Sequence, residues 1–137
     1  TASKLSGDGR ACNSVKVTLT PYGNCLMQFK GGTGEAATFK QDINLTDLTF
    51  TAGEELRLTA FGDGANAKSR LRVSVIANYS DQPKNQSVVL FTGNHTGLTR
   101  ATQVLTLSSG NLTKLTVQIT HLSPSGKFLL DRVYLTR

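Results

Sequence analysis

Tryptophan is absent from this chain, methionine occurs once, proline three times, and cysteine and histidine twice each. Each scarcity excludes something. With no tryptophan and only three tyrosines, broad aromatic platforms for stacking a ligand are few. Cys12 and Cys25 lie far along the chain from His95 and His121, so a Cys/His metal site has too few ligands at a workable spacing. No run of about 18 apolar residues occurs, so no membrane-spanning helix is encoded. No basic segment followed by an apolar one opens the chain, so an exported protein would be read here as its mature form or as an excised domain. No sustained apolar stripe of 3.6-residue period is present. The motifs G-x-S-x-G, H-E-x-x-H, G-x-G-x-x-G and the P-loop are all missing. Glu54 and Glu55 are adjacent, so on a strand they point to opposite faces and cannot flank one bond. These absences predict that the chain is not an enzyme.

What is present is alternation. Val15, Val17 and Leu19 share one face; so do Cys25, Met27 and Phe29. Phe39, Gln41 and Ile43 alternate against Lys40 and Asp42, and Leu56, Leu58 and Ala60 form the next apolar face. Leu71, Val73, Val75 and Ala77 alternate against Arg72, Ser74 and Asn78. Val88, Leu90 and Phe91 form a shorter run. Ala101, Gln103, Leu105 and Leu107 follow, then Leu115, Val117 and Ile119. Phe128, Leu130, Val133 and Leu135 close the chain, with a break in alternation near Asp131. Gly, Pro, Asn or Ser punctuates each run. About nine short strands, apolar on one face and polar on the other, predict an all-β sandwich of two antiparallel sheets. Leu56, Leu58, Val73, Val75, Leu105, Val117, Ile119, Phe128 and Val133 are the expected core. With 137 residues and no linker or repeat, the reading is one domain over 1–137.

The net charge is +6 and the charges are scattered. Lys68, Arg70 and Arg72 are the densest basic group and the last two alternate on a strand, which reads as a solvated strand face or else as an anion site; without aromatic neighbours on that face, nucleic acid is not expected as a partner. Cys12 and Cys25 flank a polar segment containing Gly and Pro, which suits one disulfide; buried free thiols are the alternative. Sequons occur at Asn44, Asn78, Asn85, Asn94 and Asn111. Eight Asn among 29 Ser and Thr in 137 residues predict roughly 1.7 by chance, so five is an excess. Either Asn and Thr gather at strand ends, or the outer surface carries N-linked glycans.

Five segments, in order, carry a resemblance. They are residues 4–12 (KLSGDGRAC), 23–29 (GNCLMQF), 39–45 (FKQDINL), 51–58 (TAGEELRL) and 129–135 (LLDRVYL). Their order resembles jelly-roll modules related to carbohydrate-binding modules and galactose-binding-like domains of bacterial surface proteins. The resemblance implies a jelly-roll topology. It also implies a structural calcium ion, for which Asp131 is the matching ligand; no other cofactor is expected. Three departures stand out. The opening N-G-x-F-E strand and its Trp are missing, Arg132 stands where a second acid is common, and exposed aromatics to grip sugar rings are few.

Two functions follow. One is a non-catalytic extracellular structural or adhesive protein, a self-assembling surface or filament subunit whose residues 1–13 form an arm that either folds back on its own domain or is exchanged between neighbouring copies. The alternative is a carbohydrate-binding module whose partner is a surface glycan, with Arg57, Arg72, Tyr79 and Gln118 as candidate ligand-binding residues. Neither reading inserts into a membrane.

Overall fold

The computed structural model describes residues 2–3, 9–12, 25–30, 37–64, 70–93, 95, 97–122 and 126–137. Ten strands occur among them: β1 Ala2–Ser3, β2 Gly9–Cys12, β3 Cys25–Lys30, β4 Ala37–Ile43, β5 Glu55–Asp63, β6 Arg70–Tyr79, β7 Asn85–Phe91, β8 Thr99–Thr106, β9 Leu112–Leu122 and β10 Lys127–Thr136. The expected strand carrying Val15, Val17 and Leu19 lies outside the described residues.

The strands form two antiparallel five-stranded sheets, ordered β1-β4-β9-β6-β7 and β2-β3-β10-β5-β8. From β3 to β10 every connection crosses between the sheets except the β6–β7 hairpin. This is the double Greek key of a jelly roll. Within the expected arm, Ala2 and Ser3 pair with β4, and Gly9–Cys12 pairs with β3.

Alternation sets which side chains meet between the sheets. Leu71, Val73, Val75 and Ala77 of β6 are fully buried, as are Leu58 and Ala60 of β5. Arg70 and Arg72, on the other face of β6, are exposed. The sequence reading left the faces of β7 unassigned. Val89 and Phe91 point inward, while Leu90 is 40% exposed on the outer face. The Val-Val-Leu-Phe run is apolar at consecutive positions, so alternation alone cannot assign its faces. Gly62 brings β5 close to β7: a Cβ there would lie 2.8 Å from the Phe91 ring.

Three expected core residues, Val117, Ile119 and Val133, are only half-buried. Together with Phe39, Ile43 and Leu135 they line a cavity of about 420 Å³ between the β4–β9 pair and β10. Two residues beyond Ile119 on the same inward face of β9, His121 is fully buried, an inward residue that composition had not marked as core. Its ring packs against Phe29 and Phe128, with centroids 5.7 and 5.5 Å away.

The break near Asp131 is a β-bulge. Asp131 pairs with Phe61 and Val133 with Ala60, leaving Arg132 as the extra residue in the left-handed region at φ 44°. The bulge restores phase, so Phe128 and Leu130 before it and Val133 and Leu135 after it all face inward. The expected turn at Thr51-Ala52-Gly53 is also present. Gly53 has φ 80°, and Glu54 N–H donates to Thr51 O at 3.1 Å. Arg137 clamps this turn: its Nε donates to Glu54 Oε1 at 2.6 Å, and its guanidinium lies 4.7 Å from the Phe50 ring centroid. The Arg137 hydrogen bond, aided by Thr51 N–H, holds the Glu54 carboxyl below its ordinary range.

Candidate functional site

In an antiparallel pair, directly opposed residues project from the same face. The registers of β4, β9, β6 and β7 therefore build rows across the outer face of their sheet. One row runs Thr38, Thr120, Arg72, Leu90. The next runs Lys40, Gln118, Ser74, Val88, and a third runs Asp42, Thr116, Ile76, Gln86. Asn78 lies opposite Lys114 at the end of the face.

A cleft of about 360 Å³ opens on this face. Ile76 is its apolar patch, and Lys40, Asp42, Asn78, Lys84, Lys114, Thr116 and Gln118 supply polar groups. Lys114 Nζ lies 2.9 Å from Asp42 Oδ2, and Thr116 Oγ1 donates to Asp42 Oδ1 at 2.7 Å. These two hydrogen bonds, Lys114 first, hold the Asp42 carboxyl below its ordinary range. Thr116, only 5% exposed, is thereby satisfied. Gln118 Nε2 donates to Thr120 Oγ1 at 3.0 Å, which orients its amide.

The sequence-derived candidates scatter. Gln118 lines the cleft, and Arg72 stands on the same face one row beyond Ser74. Arg57 is exposed on the outer face of the other sheet, opposite Val104 and Thr136. Tyr79 is buried, and its hydroxyl accepts a hydrogen bond from Ser108 N–H at 3.0 Å, so it supports the β6 end and lies outside the cleft. Asp131 is buried at the β10 bulge. Cys12 and Cys25 are register partners in the β2–β3 pair, and their side chains lie outside the described residues.

Among the sequons, Asn44 and Asn111 are exposed, while Asn78 and Asn85 are half-buried. Asn85 Nδ2 donates to Thr106 O at 2.7 Å. Asn94 lies outside the described residues. Sequence reasoning missed Lys40, Asp42, Lys84, Lys114 and Thr116. Period-2 alternation places most of them on outer faces, but only the β4-β9-β6 order makes them neighbours.

The fold is shared with solved structures. A structure described as a family 16 carbohydrate-binding module superposes with TM-score 0.68 at 18% identity, covering 87% of this chain and 81% of that one. The chain is similar in fold to carbohydrate-binding modules. A family 61 module in complex with β-1,4-galactotriose matches with TM-score 0.57 at 13% identity, covering 100% of this chain and 87% of the other. A bacteriophage CBA120 tailspike protein also matches, with TM-score 0.68 at 11% identity; 98% of this chain aligns to 18% of that one. No family profile and no curated protein sequence matches the chain. These neighbours correct the reading as a structural or filament subunit. Two solved structures that match over most of both chains are described as carbohydrate-binding modules. Among the described residues no helix is long and apolar enough to cross a membrane.

Proposed function

We propose that this chain is a non-catalytic, extracellular carbohydrate-binding module that holds a glycan in the cleft of the β1-β4-β9-β6-β7 sheet. The observation that carries this reading is the cleft's lining. The amides of Asn78 and Gln118 carry both donors and acceptors, which match the hydroxyls of a sugar ring. Ile76 offers an apolar contact for the ring's C–H face between them. The fold shared with carbohydrate-binding modules supports the same reading.

Affinity electrophoresis of the purified chain against a panel of soluble polysaccharides tests it. Retardation by at least one polymer, weakened in N78A and Q118A, is the expected result. Migration unaffected by every polymer overturns the reading. The same panel, assayed for reducing ends, is expected to show no hydrolysis.

A structural calcium ion at Asp131 belongs to this proposal. The bulge takes backbone groups out of the regular ladder beside a buried carboxylate. Among the described residues no three His, Cys, Asp or Glu side chains come together to hold a metal. The remaining ligands would be backbone carbonyls and water, which a calcium ion accepts. Melting in calcium and in chelator tests it, with a higher melting temperature in calcium expected for the native chain and no difference for D131N. Glycan attachment in a eukaryotic secretory host is proposed at the exposed Asn44 and Asn111.

A further inference from the structure

The cleft is cationic, and its charge is not balanced from within. Of its three lysines, Lys114 is held by Asp42. Asp42 is the one carboxylate that lines the cleft among the described residues, and Lys114 and Thr116 occupy its two oxygens. Lys40 and Lys84 have no ion-pair partner among the described residues. The outer face continues along β6 to Arg72, which is exposed and also lacks an ion-pair partner there. From Asn78 to Arg72 the strand spans about 20 Å. Positive charge therefore stands along a strip longer than one sugar ring.

The same face carries no Phe, Tyr or Trp among the described residues of β4, β6, β7 and β9, so stacking contributes nothing to gripping a neutral ring there. Ammonium groups lining one depression concentrate anions in it. Their hydrogen bonds to carboxylate or sulfate oxygens are about twice as strong as those between neutral groups.

We propose that this cleft selects an anionic glycan, one whose repeating units carry carboxylate or sulfate groups, with Lys40 and Lys84 contacting the acidic groups. The inference rests on the glycan-binding reading above and names its ligand class.

Affinity electrophoresis and titration calorimetry with polygalacturonate, chondroitin sulfate, neutral galactan and neutral xylan test it. The variants are the double substitution K40A/K84A and a control, R57A/R100A, which removes the same charge from the other sheet. The expected result is binding to one or both acidic polymers and not to the neutral ones. Polygalacturonate alone assigns carboxylate, and chondroitin sulfate alone points to sulfate-dependent recognition. K40A/K84A should lose about tenfold or more in affinity, as expected for lost hydrogen bonds to charged groups, while the control stays within about twofold of the native chain. Equal losses in the two variants mean that net charge and not this cleft attracts the polymer, and overturn the assignment. Binding to neutral glycans as tight as to acidic ones, untouched by K40A/K84A, overturns the anionic class and leaves the glycan-binding reading standing. No binding to any polymer overturns both.

Discussion

Lys114 Nζ lies 2.9 Å from Asp42 Oδ2, a diagonal contact across the β4–β9 pair that cancels one positive charge in the cleft. Both side chains are about half-exposed, so solvent screens the pair and its effect on stability is small. Its effect on ligand charge selection is larger. Asp42→Asn keeps an oxygen for Thr116 and frees Lys114. Affinity for a sulfated glycan at pH 7 should rise about two- to fivefold, the scale of one exposed ion pair. Calorimetry reads this directly, and an unchanged or weaker affinity counts against Asp42 as the charge-limiting group. The pH dependence has the same sign. The folded Asp42 titrates below its ordinary value of 3.8. What the carboxylate adds to stability is therefore present above that value and lost as pH falls through the folded one. In that window protonation frees Lys114, so the native chain's affinity for the sulfated polymer should approach that of D42N.

Tyr79 gives a second prediction, because its hydroxyl and the Ser108 amide form a contact between the β6 end and the segment after β8. Tyr79→Phe leaves that partly buried N–H without its acceptor, at a cost of about 1–3 kcal/mol. Chemical denaturation should show this loss, and glycan affinity should not change. A loss of affinity with unchanged stability would return Tyr79 to the binding residues.

The core predicts unequal responses. Leu58 is fully buried, and Leu58→Ala should cost about 2–5 kcal/mol by cavity formation. Ile119 faces the same interior but borders the cavity beside β10 and is half-buried. Ile119→Ala removes less buried surface, so its cost should fall at about 1–2 kcal/mol, below that range. Equal costs in urea denaturation would show that the cavity closes in solution.

Those residues also mark how far the sequence was readable. Alternation identified the inward faces of β5, β6, β8 and β9, because each has one apolar and one polar side. It located the β10 bulge as well, since Leu130 and Val133 cannot share a face without an extra residue between them. It assigned no face on β7, where consecutive apolar residues erase the period. It also overstated the burial of Val117, Ile119 and Val133, because spacing along a strand says nothing about how closely the second sheet approaches. The cleft was the least legible feature. Lys40, Ile76 and Lys114 are 36 or more residues apart from β4 to β6 and from β4 to β9, and only the crossover order of the jelly roll sets them on one face.

The last prediction concerns the β2–β3 edge, where Cys12 and Cys25 are direct register partners. Opposed residues in an antiparallel pair have Cα atoms about 4.5–5.5 Å apart, within the range that a disulfide spans. β2 has four residues, lies at the sheet edge and pairs with β3 alone among the described residues. A Cys12–Cys25 bond would close a loop of about 14 residues and stabilise the fold by roughly 3 kcal/mol in the chain-entropy model. For a chain of this size that corresponds to a fall in melting temperature of about 10 °C on reduction. Cys12→Ala/Cys25→Ala should melt at the reduced protein's temperature and be insensitive to reductant. Intact mass after alkylation of the native, unreduced chain gives the direct answer. No added alkyl groups is the expected outcome, and two would show that these cysteines are thiols held side by side.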